Sequence, residues 1–409
     1  MTVKLSDYEK IAGRDALTEI YLIAEKLRGK TMAMVNSTSM GGGVAEMLAK
    51  VVPMFNEVGI KTTWKVIKGN DKFFAVTKTF HNALHGLQAD ITKDMLETFK
   101  EVTDANAAEM SFGEDVVVIH DPQPAGLIKN RNKEKSKWVW RCHIDVSRPD
   151  MRVWDFLSEY INQYDASIFS SPSFAKTLPI PQYLIHPAID PLADKNKDIS
   201  DSTIDRTFRK YNIPRDKPII TQISRFDRLK DPVGVIESYK MAKRHVNCQL
   251  VLAGGGATDD PEAEDVLKSV KQHASDDPDI HILELPPFSD LEINALQRGS
   301  NIIVQKSLRE GFGLTVTEGL WKGKPVIGSD VGGIPLQIRH NLTGALVHSI
   351  EGCAYQIRYL LSNPEFAERL GQIGKELVRE KFLITRIIKN YLLLMHALDN
   401  PDHNVIELH

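Results

Sequence analysis

Two carboxylates, Glu310 and Glu318, stand eight residues apart around a Gly311-Phe312-Gly313 turn. The turn opens a helix-period segment, from Leu314 and Thr315 onward, that carries Leu314, Glu318 and Trp321 along one side. Glycines at a helix start leave backbone N–H groups free to meet an anion. Carboxylates accept hydrogen bonds from hydroxyl pairs, such as those of a sugar or a ribose. At this spacing the two acids cannot cap one another, but they can grip different parts of one extended ligand. A second set is Ser224-Arg225-Phe226-Asp227-Arg228-Leu229-Lys230, directly after an apolar run. Arg225 and Lys230 would there be fixed cations able to hold a pyrophosphate and neutralise its charge as it leaves. A third is Gly41-Gly42-Gly43, before a segment with Val44, Met47, Leu48, Val51, Val52 and Phe55 at helical spacing. It fits neither GxGxxG nor the P-loop. A phosphate-approach turn and a plain strand–helix turn both stay open there.

A fourth group is polar and lies in the N-terminal half: His81, Asn82, His120, Asp121, Gln123, His143 and Asp145. Together they offer hydrogen-bond donors and acceptors, and three of them fall right after strand candidates. No DxD metal motif stands out. Asp259-Asp260 and Asp276-Asp277 read as solvated turns. With Arg225 and Lys230 available for neutralisation, no metal or cofactor is expected to be required, and magnesium is expected at most to stimulate.

These residues need a scaffold that brings loop ends together. Short β-branched runs alternate with helix-period segments along the chain. The strand candidates are 31–37, 62–68, 115–121, 138–145, 166–171 and 183–190, then 218–224, 248–254, 279–285, 301–307 and 325–330. Continuous apolar strands separated by helices predict an α/β chain with parallel sheets covered on both faces. Ligands of such sheets bind at the carboxyl ends of the strands, where the groups above fall. Proline and charged residues replace the rhythm at 187–202, which reads as a linker into a second sheet. The segment from Phe382 to Asn400 is an amphipathic helix with Ile384, Ile387, Ile388, Tyr391, Leu392 and Met395 on its apolar side.

The chain of 409 residues suits two domains of about 200 each. Its net charge of -3 gives no electrostatic case for nucleic acid or an anionic membrane as the main partner. Cys142, Cys248 and Cys353 have no CxxC spacing, so a disulfide framework and a zinc knuckle are disfavoured and a reducing, cytoplasmic setting fits. The charged N-terminus reads as neither signal peptide nor anchor.

The Glu310–Glu318 segment resembles the E-x7-E motif of retaining GT-B glycosyltransferases of family 4, and SRFDRLK resembles their Arg…Lys phosphate pair. The resemblance implies two Rossmann-like domains whose parallel sheets face a central cleft, with a C-terminal helix crossing back to the N-terminal domain. It places the boundary so that 1–188, with a helix over about 385–409, takes the acceptor, and 189–384 takes the nucleotide-sugar. It implies ribose on Glu318, the transferred sugar beside Glu310, and diphosphate on Arg225 and Lys230. Ser224, Gly42, Gly43 and the Gly311–Thr315 loop complete the donor site.

Further residues narrow the likeness. FFAVTKTFHNAL (73–84), HDPQPA (120–125) and WRCHID (140–145) are similar to segments of trehalose glycosyl-transferring synthases. That group joins the glucose of a nucleoside-diphosphate glucose to free glucose, forming α,α-trehalose with retention of configuration. His143 would then contact the transferred glucose, while His81, Asn82, Asp121, Gln123 and Asp145 would bind the acceptor. The partners implied are a small sugar and a sugar nucleotide, and relatives suggest a homodimer. A trehalose phosphorylase using inorganic phosphate, and a family 4 glucosyltransferase with another small acceptor, remain alternatives. A nicotinamide oxidoreductase lacks its GxGxxG and acidic residue, and a silent sugar-binding scaffold would not need all four charged residues.

Overall fold

The computed structural model describes residues 3–40, 43–255, 261–275 and 277–401. The chain divides into two compact units, Met1–Pro187 with Ile384–His409, and Ala188–Leu383. Among the described residues each unit is built on one six-stranded sheet whose strands all run parallel. The first contains β1 (Thr31–Asn36), β2 (Lys61–Val66), β3 (Val116–His120), β4 (Lys137–Arg141), β5 (Ala166–Phe169) and β6 (Gln182–Leu184). The second contains β7 (Ile219–Ile223), β8 (Gln249–Gly255), β9 (Ile280–Leu285), β10 (Ile302–Gln305), β11 (Val326–Ser329) and β12 (Ala345–Val347).

Their spatial orders are β2-β1-β3-β4-β5-β6 and β12-β11-β10-β7-β8-β9. Each sheet therefore starts mid-sheet, builds outward on one side, then returns to the other. The switch points fall between β1 and β3 and between β7 and β10. At such a point the loops leaving neighbouring strands diverge, and the crevice between them takes ligands.

Burial follows from composition. Every residue of β3, Val-Val-Val-Ile-His, is buried, as helices on both faces require. Below it an aromatic core of Phe80, Phe99, Phe156, Trp138 and Trp140 fills the first unit. The expected apolar side of the last helix (Ile384–Asp399) is buried in the first unit, against the helices Arg14–Lys26 and Gly43–Glu57. Tyr391 meets Phe55 edge-on at 6.0 Å.

Three expectations change. β12 went unseen because its run Ala345-Leu346-Val347 stops at once at His348-Ser349, whereas the equally short β6 overlaps the longer candidate 183–190, which opens with the apolar run from Tyr183 to Ile185. Several strands stop early: 138–145 leaves its sheet at Arg141, 183–190 at Leu184 and 301–307 at Gln305. The 187–202 stretch is not a loose linker either. Asn196, 4% exposed, donates to Asp190 O at 3.0 Å. Asn294 donates to Asp194 O and Lys197 O at 2.8 Å each, so the segment is knotted onto the second unit. No described helix is long and apolar enough to cross a membrane.

Candidate functional site

The second sheet's switch point is closed by an ion pair. Lys230 ends a short 3-10 turn after β7, and Glu310 lies in the loop after β10. Lys230 Nζ donates to both carboxylate oxygens of Glu310, at 2.8 and 2.7 Å. Ser307 Oγ donates to the same carboxylate at 3.0 Å and Gln305 Nε2 lies 3.4 Å away. Glu310 is thus a positioned, multiply bonded acid with 8% of its surface exposed.

Backbone crossings hold that loop. Gly313 takes a left-handed conformation (φ 82°) as N-cap of the helix Leu314–Trp321, so its N-terminal N–H groups follow the turn directly. Gly332 (φ 57°) passes so close that a Cβ would lie 1.7 Å from Glu310 O, and Gly333 N donates to Gly311 O at 3.0 Å. Gln337 Nε2 donates to Phe312 O at 2.5 Å, and Thr317 Oγ1 donates to Gln337 at 2.5 Å. Thr315 Oγ1 reaches Ile223 O at 3.2 Å, joining the helix start to the end of β7. Leu314 is half-buried beside it.

Glu318 is buried, with 7% exposure, and Gln297 Nε2 lies 3.4 Å from its carboxylate. One turn on, buried Lys322 donates to Asn196 Oδ1 at 3.0 Å and to Glu318 O at 3.3 Å. Burial pushes the Lys322 ammonium down to about 7, against the attraction of Glu318. Arg225 differs from the expected fixed cation. Its side chain is 67% exposed, and among the described residues its Nη2 meets only the nearby Asp227, at 3.4 Å. Ser224, beside it, is half-buried, and its N donates to Ala253 O at 3.0 Å.

In the first unit the switch point is flanked by Gly43, which opens the helix Gly43–Glu57, and by the residues ending and following β3. Gly42 and Gly41 lie outside the described residues, as do Asp259, Asp260 and Asp276. Asp277 is not a solvated turn: it accepts from Lys243 Nζ at 2.5 Å.

His120, Asp121 and His143 form one cluster at this edge. His120 Nδ1 lies 2.9 Å from His143 Nε2, and the two rings, tilted by only 15° with centroids 5.3 Å apart, meet edge to edge in nearly one plane. His143 N donates to Asp121 Oδ1 at 2.7 Å, while Asp121 N donates to Arg141 O at 2.8 Å. Burial pushes His120 down to about 3, helped by the Arg141 charge, and holds His143 well below the usual imidazole range. Burial likewise pushes Asp121 up to about 7, against the His143 N–H bond and Arg141. Among the described residues Gln123 Oε1 is buried without a partner, and Asp145 accepts from Ser147 N at 2.9 Å. His81 and Asn82 sit on the last turn of the helix Asp71–Leu84, with His81 4.7 Å from the His85 ring. Asp150 N donates to Ala83 O at 2.9 Å, tying that turn to the segment after Asp145.

Sequence reasoning missed Gln305, Ser307, Gln337, Lys322 and the Gly332-Gly333 pair. Only the glycine pair had a readable signal, since just two residues separate it from β11. The amides and the buried lysine look like surface residues until the fold buries them.

Residues 34–176 match the family model described as trehalose synthase, N-terminal domain, and residues 203–377 match that of glycosyl transferases group 1. The chain is 42% identical to a trehalose synthase of Pyrococcus horikoshii, over 97% of this chain and 96% of that protein. A trehalose phosphorylase of Pleurotus pulmonarius is 30% identical over 84% of this chain but only 54% of its own length. Among solved structures, a UDP-forming α,α-trehalose-phosphate synthase from Burkholderia vietnamiensis superposes with a TM-score of 0.72 at 14% identity, covering 93% of this chain and 99% of that one. At that identity the likeness speaks for the GT-B glycosyltransferase fold.

Proposed function

The chain belongs to the trehalose synthase family of hexosyltransferases, and from that premise we propose that it moves glucose from a nucleoside-diphosphate glucose to free glucose. The product is α,α-trehalose, formed with retention. The bond between the anomeric carbon and the β-phosphate oxygen breaks, and a bond to the acceptor's anomeric oxygen forms. The proton of that hydroxyl passes to the departing diphosphate.

The observation that carries this reading is the Lys230–Glu310 pair at the second switch point, framed by the Gly311–Gly313 turn and a helix N-terminus. An ammonium already oriented before the reaction stabilises charge as it develops, without a reorganisation cost. Arg225 adds an exposed second cation, Glu318 takes the ribose diol, and Glu310 lies beside the transferred sugar. His143 contacts that sugar. The acceptor set of His81, Asn82, Asp121, Gln123 and Asp145 contains no lysine or arginine, which suits an uncharged sugar better than a sugar phosphate. Charge neutralisation by side chains leaves magnesium at most a stimulant. The three free thiols, all buried, suit a reducing cytoplasm.

The test is incubation with several nucleotide-glucoses and free glucose, then identification of the disaccharide and both anomeric configurations. Trehalose with release of nucleoside diphosphate is expected. A different disaccharide would sink the acceptor assignment. The kinship to phosphorylases favours one second reading, in which inorganic phosphate occupies the cation site. Glucose 1-phosphate released from trehalose and phosphate, with no turnover of nucleotide-glucose, would establish it instead.

A further inference from the structure

We infer that His120 is a positioning residue that fixes the tautomer of His143, so that His143 presents Nδ1–H, as a donor, to the sugar. The inference rests on the reading above that His143 meets substrate. It starts from geometry: His120 Nδ1 and His143 Nε2 are 2.9 Å apart, so one of them carries a proton and the other accepts it.

Both rings are neutral at physiological pH, because burial and the neighbouring Arg141 cation disfavour an imidazolium in either. Two neutral imidazoles sharing one hydrogen bond have two arrangements. In the first, His120 Nδ1–H donates to His143 Nε2. His120 Nε2 is then a bare acceptor, and the His143 proton sits on Nδ1. In the second, His143 Nε2–H donates to His120 Nδ1, and the His120 proton must sit on Nε2. That nitrogen decides the matter. It is buried and, among the described residues, has no hydrogen-bond partner, and His120 as a whole is 1% exposed. A buried N–H without an acceptor is rarer in folded proteins than an under-used acceptor. The first arrangement therefore holds.

The surroundings fix the rest of His143. Its backbone N–H is held by Asp121 Oδ1 at 2.7 Å, so consecutive residues at the end of β3 grip the ring and the main chain of one histidine. Asp121 adopts φ 67°, an uncommon conformation for a residue other than glycine, and so can reach back across the strand end. A hydrogen bond to one ring nitrogen sets the state of the other. His143 is thereby prepared as a donor toward a sugar oxygen, not as a base that would take its proton.

The experiment is nitrogen NMR of the ring nitrogens of 15N-histidine-labelled protein, with His143 assigned through a His143→Gln variant. The expected spectrum has His143 protonated on Nδ1 and bare on Nε2. Protonation of His143 on Nε2 in the unaltered protein overturns the inference, and this measurement needs no variant of His120. His120→Asn keeps a donor near the Nδ1 position, while His120→Leu removes it. Turnover of nucleotide-glucose is expected to drop about 10–100-fold in His120→Leu, the scale seen when an outer partner of a functional histidine is lost. His120→Asn should restore most of it, with the His143 tautomer unchanged. A His120→Leu protein that keeps the Nδ1–H tautomer also overturns the inference. If the tautomer flips in His120→Leu and turnover stays normal, the assignment of His143 to the sugar fails instead, and the positioning role fails with it.

Discussion

Lys230 Nζ lies 2.7 and 2.8 Å from the two carboxylate oxygens of Glu310, so a cation after β7 and an anion after β10 bridge the switch point of the second sheet. Each fixes the other's side chain between loops that are also joined by Leu308 N donating to Leu229 O at 2.8 Å. Each also occupies the strand ends where the proposed diphosphate and sugar would sit.

Lys230→Met removes the cation and leaves Glu310 with Ser307 and Gln305 alone. The expected loss is about 2 kcal/mol, below the range for fully buried pairs because the lysine side chain keeps 20% exposure. Turnover should drop about 10²–10³-fold. Adding Glu310→Gln should recover most of the stability but none of the turnover. Denaturant midpoints of both variants, set beside kcat, separate the two effects, and parallel recovery of activity would refute the catalytic role.

Arg225→Ala should behave differently, because the side chain is 67% exposed and has one weak ionic partner. Its melting should stay within about 0.5 kcal/mol of the parent. Turnover of nucleotide-glucose should still drop about 10²–10³-fold, since the guanidinium acts only when diphosphate is present. Near-normal turnover would remove Arg225 from the donor site.

Gly332→Ala tests the backbone crossing. The new Cβ would sit 1.7 Å from Glu310 O in a left-handed conformation, so the Glu310 loop must shift. A loss of about 2 kcal/mol or more is expected, with loss of nucleotide-glucose binding measured by calorimetry. Gly29→Ala is the control: like Gly332 it has a positive φ (87°), but among the described residues a Cβ there meets nothing within 4 Å, so only about 1 kcal/mol should be lost and binding kept.

The histidine–aspartate cluster predicts a bent pH profile of stability. His120 and His143 are held neutral in the fold, with His120 lowered to about 3, so their contribution is present above about pH 6.5 and is lost as the pH falls. Asp121 is raised to about 7, so its protonated form favours the fold below about pH 4, and that contribution is lost as the pH rises to 7. Asp121→Asn should therefore flatten the falling limb near neutrality, and His120→Asn should weaken the acid limb. Urea midpoints from pH 4 to 8 measure both, and an unchanged profile in either variant would contradict the assignment.

Much of the fold was legible because buried parallel strands are written as continuous β-branched runs. Eleven of the strands, and the buried side of the Ile384–Asp399 helix, could be read in this way. β12 could not, because its three residues are cut off at once by His348-Ser349, with no longer candidate stretch around them such as the 183–190 run that gave away the equally short β6. The Gly311–Gly313 turn was legible for a local reason: a left-handed residue at a helix start calls for glycine.

The sequence by itself determined the kinds of group available at the strand ends: two carboxylates, two cations, a glycine turn, and a histidine- and aspartate-rich acceptor set. Only the tertiary structure decided their partners. Strand order is a long-range property, and it is the strand order that makes β7 and β10 neighbours and seats Lys230, 80 residues away in the chain, on Glu310. The same holds for His120 and His143, joined across 23 residues by the pairing of β3 with β4. Burial, too, is set by the fold as a whole. It holds the imidazoles neutral, raises Asp121 and conceals Lys322, because the cost of a charge depends on what surrounds it in space.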